Sequence, residues 1–228
     1  ALAEAAAKVA KDSFGLDVSI ITFNDYVVPN EALQNGDIDV NAFQHVPYLE
    51  AQSKQRNYDL AVVGKTFVYP IVAYSKKIKS IQQLQDESTI VIPNDPTNGG
   101  RALLLLQKNN LIRLKDDVGL TPKVIDIIEN PKRLNILEIE APQIPRVLDD
   151  QLVTIAIINN NFAVQAGLNS AEFGIFSEDK DSPYVNVIVS RKAHQNDEKI
   201  SKFVKAYQSK VVEDVAAKIF KDGAVKGW

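Results

Sequence analysis

Short runs of β-branched and aliphatic residues alternate with helix-like stretches along the whole chain, and this alternation most restricts what it can fold into. It is the pattern of an α/β protein, in which strands build sheets and helices cover them. Residues 1–13 are Ala-rich, with Leu2, Ala6, Val9 and Ala10 on one face, and Gly15 stands where a glycine ends a helix. Segment 18–23 (VSIITF) reads as a buried strand. Helices are expected at 29–35, with Pro29 in the first turn and Gly36 as its stop, and at 47–56. Residues 60–75 read as strand broken near Pro70, and Ser80 as the N-cap of a short helix at 81–85. The strand 89–93 (TIVIP) is followed by NDPTNGG, which leads into a helix at 101–110. Strands are expected at 123–128, 135–139, 151–158 and 185–190, a helix at 159–167, and two amphipathic helices at 197–208 and 209–221.

The 228 residues suffice for one large domain or two small ones. At 45% hydrophobic and 24% charged, the chain is neither disordered, collagen-like nor a coiled coil. A formal charge of −3 and a pI near 5.5 argue against a nucleic-acid binder, which concentrates basic charge. The apolar run 103–106 is far short of the roughly 18–20 residues that span a bilayer, so a soluble chain is expected. Cysteine is absent and only His45 and His194 are present, so no disulfide, thiol nucleophile, metal centre or cofactor is expected. There is no initiator Met and no signal peptide, which suggests a processed or truncated start. No repeat or tether-like linker is visible, so a division into domains must use crossing strands. Ligand loops at strand ends then favour a cleft.

Several motifs fail on inspection. Gly64-Lys65-Thr66 resembles the end of a phosphate loop, but Asp59 stands where its first glycine belongs, and 67–69 continues as strand. The run 37–41 (DIDVN) mimics a calcium loop, yet its sixth position is Ala42 and its twelfth Tyr48, so a turn after Gly36 is the better reading. The acid pairs Asp116-Asp117 and Asp149-Asp150 fall in polar turns. Nothing specifies a catalytic residue.

What remains is a group of aromatic and polar residues at predicted strand ends. Tyr26 follows the first strand, Phe43, His45 and Tyr48 lie in NAFQHVPY, and Phe67 and Tyr69 lie in TFVYP. Asn159 closes one strand and Asn186 opens another. Each has a plain structural reading: Phe67 or Tyr69 as core, a strand-end Asn as a turn or cap, His45 as a satisfied polar residue beside Pro47. Arg101 is different. In the first turn of a helix its charge opposes the macrodipole, which makes sense if an anion sits with it. An amino acid needs a fork for its carboxylate, acceptors for its ammonium and a wall for its side chain. Arg101, the two Asn amides and the aromatic group supply these, and aromatic rings suit a thioether.

The strings FNDYVVPNEAL (23–33), DVNAFQHVPYLEAQ (39–52), VGKTFVYPIVAYSKKIKSIQQLQD (63–86), IPNDPTNGGRALLLLQ (92–107), EAPQIPRVLDD (140–150), SPYVNVIV (182–189) and GAVKGW (223–228) carry a resemblance that covers essentially the whole chain. They resemble the methionine-binding lipoproteins of the NlpA/MetQ family. The resemblance implies a two-lobed periplasmic-binding-protein fold of class α/β, with a ligand cleft between lobes. It implies no enzyme but the substrate-binding component of an ATP-driven methionine importer. The expected partners are L- or D-methionine and the permease and ATPase subunits, with no nucleic acid. The expected place is the periplasm or the outer face of the cytoplasmic membrane, held by an N-terminal lipid whose Cys, like the family's first strand, is absent here. The lobes are expected at 1–77 with 189–228, and at 78–188. Carried over by position, Arg101 pairs with the ligand carboxylate. Asn159 and Asn186 contact its backbone end, and Tyr26, Phe43, His45, Phe67 and Tyr69 form the side-chain pocket, with Tyr48 nearby. Asn160 and Asn161 follow Asn159 where other members often carry Thr-Thr. Rival readings are a binder of another apolar amino acid or short methionine peptide, and an enzyme or sensor on the same fold.

Overall fold

A computed structural model of the chain describes residues 1–221 and 223–228. Helix α1 (Leu2–Phe14) ends at Gly15, whose φ of 63° is the left-handed conformation that glycine adopts without strain. Then come α2 (Val28–Asn35), β1 (Val40–His45), α3 (Val46–Arg56) and β2 (Leu60–Val68). Past Pro70 the chain forms β3 (Val72–Tyr74), β4 (Thr89–Pro93), α4 (Pro96–Lys108), β5 (Arg113–Leu114), β6 (Ile127–Glu129) and β7 (Asn135–Ile139). It continues through α5 (Ile144–Val147), β8 (Val153–Ile158), α6 (Asn160–Gln165), α7 (Ser170–Phe173) and β9 (Gly174–Ser177). The last elements are β10 (Val185–Arg191), α8 (Glu198–Tyr207), α9 (Lys210–Phe220) and β11 (Val225–Lys226).

The chain divides into two compact units, Ala1–Tyr69 with Lys180–Trp228, and Pro70–Asp179. The sequence placed these breaks after 77 and after 188. Strand pairing explains both differences. Val72–Tyr74 joins β8 and β9, which puts β3 in the second unit, and Val185–Arg191 pairs with β1 and β2, which puts all of β10 in the first.

In the first unit the sheet order is β1-β10-β2-β11, every pair antiparallel. Helices α1, α8 and α9 bury Leu2, Ala6, Phe203, Tyr207, Val212 and Ala216 with Phe67 and Ile188 of the sheet. The second unit has the order β7-β4-β8-β3-β9, in which β7, β4 and β8 are parallel. Its core joins Ile90, Ile92, Ile155 and Ile157 of the sheet to Leu103 and Leu106 of α4. The apolar runs 90–92 of β4 and 155–158 of β8 are buried because a strand inside the sheet is covered on both faces.

Three expectations change. Segment 18–23 has the composition of a strand but pairs with no neighbour, and Ile20 and Ile21 are exposed. Without a ladder partner, propensity alone does not make a strand. The expected strand 123–128 begins instead as a turn, because the Asp126 carboxylate accepts the Lys123 N–H at 2.8 Å and closes Val124–Asp126 before β6. Ser80 stands at the N-cap of a single turn, Ile81–Gln83, and its hydroxyl makes no capping bond.

Helix α4 lies so close to the sheet that a Cβ on Gly99 would sit 2.7 Å from the Pro93 carbonyl oxygen. Alanine is intrinsically the better helix former by about 1 kcal/mol. We nevertheless expect Gly99→Ala to lose about 1–3 kcal/mol through this clash, read from thermal unfolding. A variant of equal or higher Tm would contradict the close approach. Burial also raises the Tyr69 phenol well above its ordinary pKa, helped by neighbouring Tyr207, and pushes Tyr74 up to about 12. A folded-state pKa raised in this way leaves stability intact below the unfolded value of about 10 and erodes it as pH climbs toward the folded one. Denaturant unfolding at stepped alkaline pH should show that loss, with Tyr69→Phe and Tyr74→Phe reducing it. An unchanged slope in both variants would rule it out.

Candidate functional site

In the first unit the site residues converge through one irregularity in β1. Between Asn41, opposite Val189, and Gln44, opposite Val187, three steps along β1 match two along β10. This bulge sits beside a buried amide group. Asn30 donates Nδ2 to Gln44 Oε1 at 2.8 Å, and Gln44 returns Nε2 to Asn30 Oδ1 at 2.6 Å. Asn41 Nδ2 donates to Asn30 Oδ1 at 2.9 Å and to the Pro29 carbonyl at 3.1 Å. Asn and Gln are poor strand residues, which hid β1 in the sequence, and here they pin its bulge. The Asn186 amide donates to the Phe43 carbonyl at 3.2 Å.

The bulge delivers Phe43 and His45 to a ring cluster. Tyr26 lies 5.9 Å from Phe43 and 5.9 Å from Tyr48, and Phe43 lies 6.1 Å from Tyr48 edge-on. His45 meets Tyr48 at 6.2 Å and Tyr184 at 5.0 Å, both edge-on. Tyr184 was not singled out in the sequence, although it stands in SPYVN two residues before Asn186. His45 is also the N-cap of α3, its Nδ1 accepting the Tyr48 N–H at 3.1 Å, so a neutral ring carries its proton on Nε2. Phe67 and Tyr69 meet in a second cluster, Phe67 edge-on to Trp228 at 5.1 Å and Tyr69 tilted against Phe220 at 5.0 Å, with Phe67 in the core.

In the second unit the argument that selected Arg101 needs correction. Helix α4 begins at Pro96 rather than at Arg101, because the Asp95 carboxylate caps it by accepting the Asn98 N–H at 2.9 Å. Gly99 and Gly100, which read as loop, are helical. Arg101 therefore lies in the second turn, beyond the reach of the macrodipole's positive end. An anion does sit with it: Glu178 Oε1 accepts from Arg101 Nε at 2.7 Å and Oε2 from Nη2 at 2.5 Å. The two side chains are only 4% and 13% exposed, so removing either partner leaves a buried charge, at a cost of about 3–5 kcal/mol.

A second chain of contacts starts at the same cap. Asp95 holds the Asn98 amide through Nδ2 at 3.1 and 3.0 Å, and Asn98 Oδ1 accepts Nδ2 of Asn159 at 2.8 Å. Asn159 follows β8 and is buried, Asn160 is half-buried and Asn161 exposed, so the first of the three faces inward. With its NH2 committed to Asn98, Asn159 is left with a buried Oδ1 that has no hydrogen-bond partner among the described residues. A buried acceptor in that condition costs free energy until a donor reaches it. The acids Asp116 and Asp117 line an open groove of about 670 Å³, shared with Ile112, Leu114 and Val118, that contains none of the site residues.

The NlpA lipoprotein family model matches residues 1–228. The chain belongs to the NlpA lipoprotein family. It is 62% identical over 227 residues to the D-methionine-binding lipoprotein MetQ of Escherichia coli K12, covering 100% of this chain and 84% of that protein. The crystal structure of the methionine binding protein MetQ superposes with a TM-score of 0.98 at 62% identity, covering 100% of this chain and 93% of the other. A nutrient binding protein from Burkholderia cenocepacia bound to methionine gives 0.96 at 45% identity, covering 100% and 95%. A periplasmic substrate-binding protein of an ABC transporter from Coxiella burnetii gives 0.95 at 46%, covering 99% and 94%. The α/β fold of this family member is thus that of periplasmic binding proteins.

His45 carries two separable duties, cap and ring. His45→Asn keeps a capping acceptor, whereas His45→Ala removes it at a cost of about 0.5–2 kcal/mol. We expect thermal unfolding to show the Ala variant less stable than the Asn variant. Equal losses would mean that the cap contributes nothing.

Proposed function

We propose that this chain binds methionine and hands it to an ATP-driven importer. The observation that carries the reading is the orphan Oδ1 of Asn159, an acceptor prepared for an ammonium in the same unit as a buried guanidinium. Those are the two handles by which an α-amino acid is held. The MetQ relatives, named for D-methionine, and the methionine-bound Burkholderia neighbour support the ligand. The Coxiella neighbour supports the transporter.

In this reading Arg101 takes the carboxylate and Asn159 the ammonium. Tyr26, Phe43 and His45, with Tyr48 and Tyr184, form the wall against which the thioether rests, and sulfur–aromatic contacts contribute about 0.3–1.5 kcal/mol each. Asn186 holds the Phe43 backbone that orients this wall. The chain does no chemistry on its ligand. Its partners are the permease and ATPase of the importer, and its place is the outer face of the cytoplasmic membrane, held there by the lipid for which its relatives are named.

Calorimetry with methionine and with its des-amino analogue tests the reading. Asn159→Leu should weaken methionine by about 1.5–3 kcal/mol, the range for a hydrogen bond to a charged group, and barely change the analogue. Arg101→Lys should weaken both, because an ammonium does not reproduce the fork. Unchanged methionine affinity in a folded Asn159→Leu protein would remove the central observation.

A further inference from the structure

Glu178 stands at the end of the second unit, one residue after β9 and one before its last residue, Asp179. Its backbone N–H donates to the Ile71 carbonyl at 3.0 Å, and the Ile71 N–H donates to Glu178 Oε2 at 3.3 Å. Ile71 in turn is the second residue of that unit. One carboxylate thus touches the residue just before β3, where the chain enters the second unit, stands just after β9, where it leaves, and grips Arg101 on α4 by two bonds.

An arginine side chain has many rotamers, and a guanidinium recognises a carboxylate through a planar fork whose direction matters. Glu178 spends the Nε and Nη2 edge, fixes the plane of the ring of nitrogens, and thereby fixes where the other N–H groups point. Its negative charge has the opposite effect, since it offsets the attraction of Arg101 for a second anion. In a buried pair the orientation is the larger effect, because an unheld guanidinium must be ordered by the ligand itself.

We propose that Glu178 is a positioning residue for carboxylate recognition: it does not touch the ligand, and it holds Arg101 in the pose that does. This rests on the reading of Arg101 as the carboxylate partner of methionine.

The test compares L-methionine with L-methioninamide, which lacks the carboxylate charge, by calorimetry on wild type, Glu178→Gln and Glu178→Ala, with folding followed by circular dichroism. Wild type should prefer methionine to the amide. Glu178→Ala should lose roughly 10-fold or more in methionine affinity, as outer-shell partners typically do when removed, with little change for the amide. Glu178→Gln, which keeps the size and one acceptor oxygen, should fall between, and it carries the test alone if the Ala variant does not fold. Equal losses for both ligands would reduce Glu178 to a structural role, and a gain in methionine affinity would make it a competitor. Either result overturns the proposal and leaves methionine binding standing. A wild type that does not bind methionine overturns both.

Discussion

Strand β10 is the constraint on which the first unit depends. It lies between β1 and β2 and is antiparallel to both, yet it arrives only after the whole second unit has been laid down in sequence. Loop-closure entropy grows slowly with length, so so long an excursion is thermodynamically tolerable. Its kinetic consequence is larger, because pairings far apart in sequence form late. Three contacts that shape the aromatic cluster wait for this strand. The bulge in β1 is defined only against β10, Asn186 of β10 reaches the Phe43 carbonyl, and Tyr184 reaches His45 from the residue just before it.

The amide group beneath the bulge fits the same logic. Asn30, Asn41 and Gln44 are all buried, and buried amides are tolerated only when their bonds are made. The reciprocal Asn30–Gln44 pair ties α2 to β1 without any apolar contact, and its geometry admits little slippage. A hydrophobic substitute of the same volume would fill the space and lose that register, since apolar contacts are not directional. Polarity here fixes the position of two rings rather than adding net stability.

Much of this was legible in the sequence, and the failures have physical causes. Gly15 and Gly36 ended their helices as read, at φ of 63° and 88°, because a left-handed cap is a local requirement. The apolar runs of β4 and β8 were legible because strands buried on both faces carry no polar alternation. Segment 18–23 misled because a strand is a property of a pair, and no partner is written in the segment itself. The strand β1 was hidden by its amides, whose reason for being there lies on α2. At Arg101 the choice of residue and the reason for it came apart. Pro96, Gly99 and Gly100 disguised five residues of helix, and the macrodipole argument fell with them. Glu178 stands 77 positions away and was beyond any local pattern.

That displacement changes where an anion is read in the second unit. The parallel strands β4 and β8 end at Pro93 and Ile158, and the carboxyl ends of parallel strands are where α/β sheets gather ligand groups. The N-terminus of α4 would ordinarily be the anion site at such a place. Here Asp95 already occupies it, accepting from the Asn98 backbone, the Thr97 hydroxyl and the Asn98 amide. A second carboxylate at the same N–H groups would face that charge at short range. One turn onward the side chain of Arg101 meets an anion of the chain itself, the Glu178 carboxylate. The capping carboxylate is turned to another use, since through Asn98 it holds the Asn159 NH2 and leaves the buried Oδ1 as an acceptor with no partner among the described residues. Two carboxylates of the chain itself thus bear on the two groups proposed to hold the ligand: Asp95 reaches Asn159 through Asn98, and Glu178 holds the Arg101 guanidinium by two bonds.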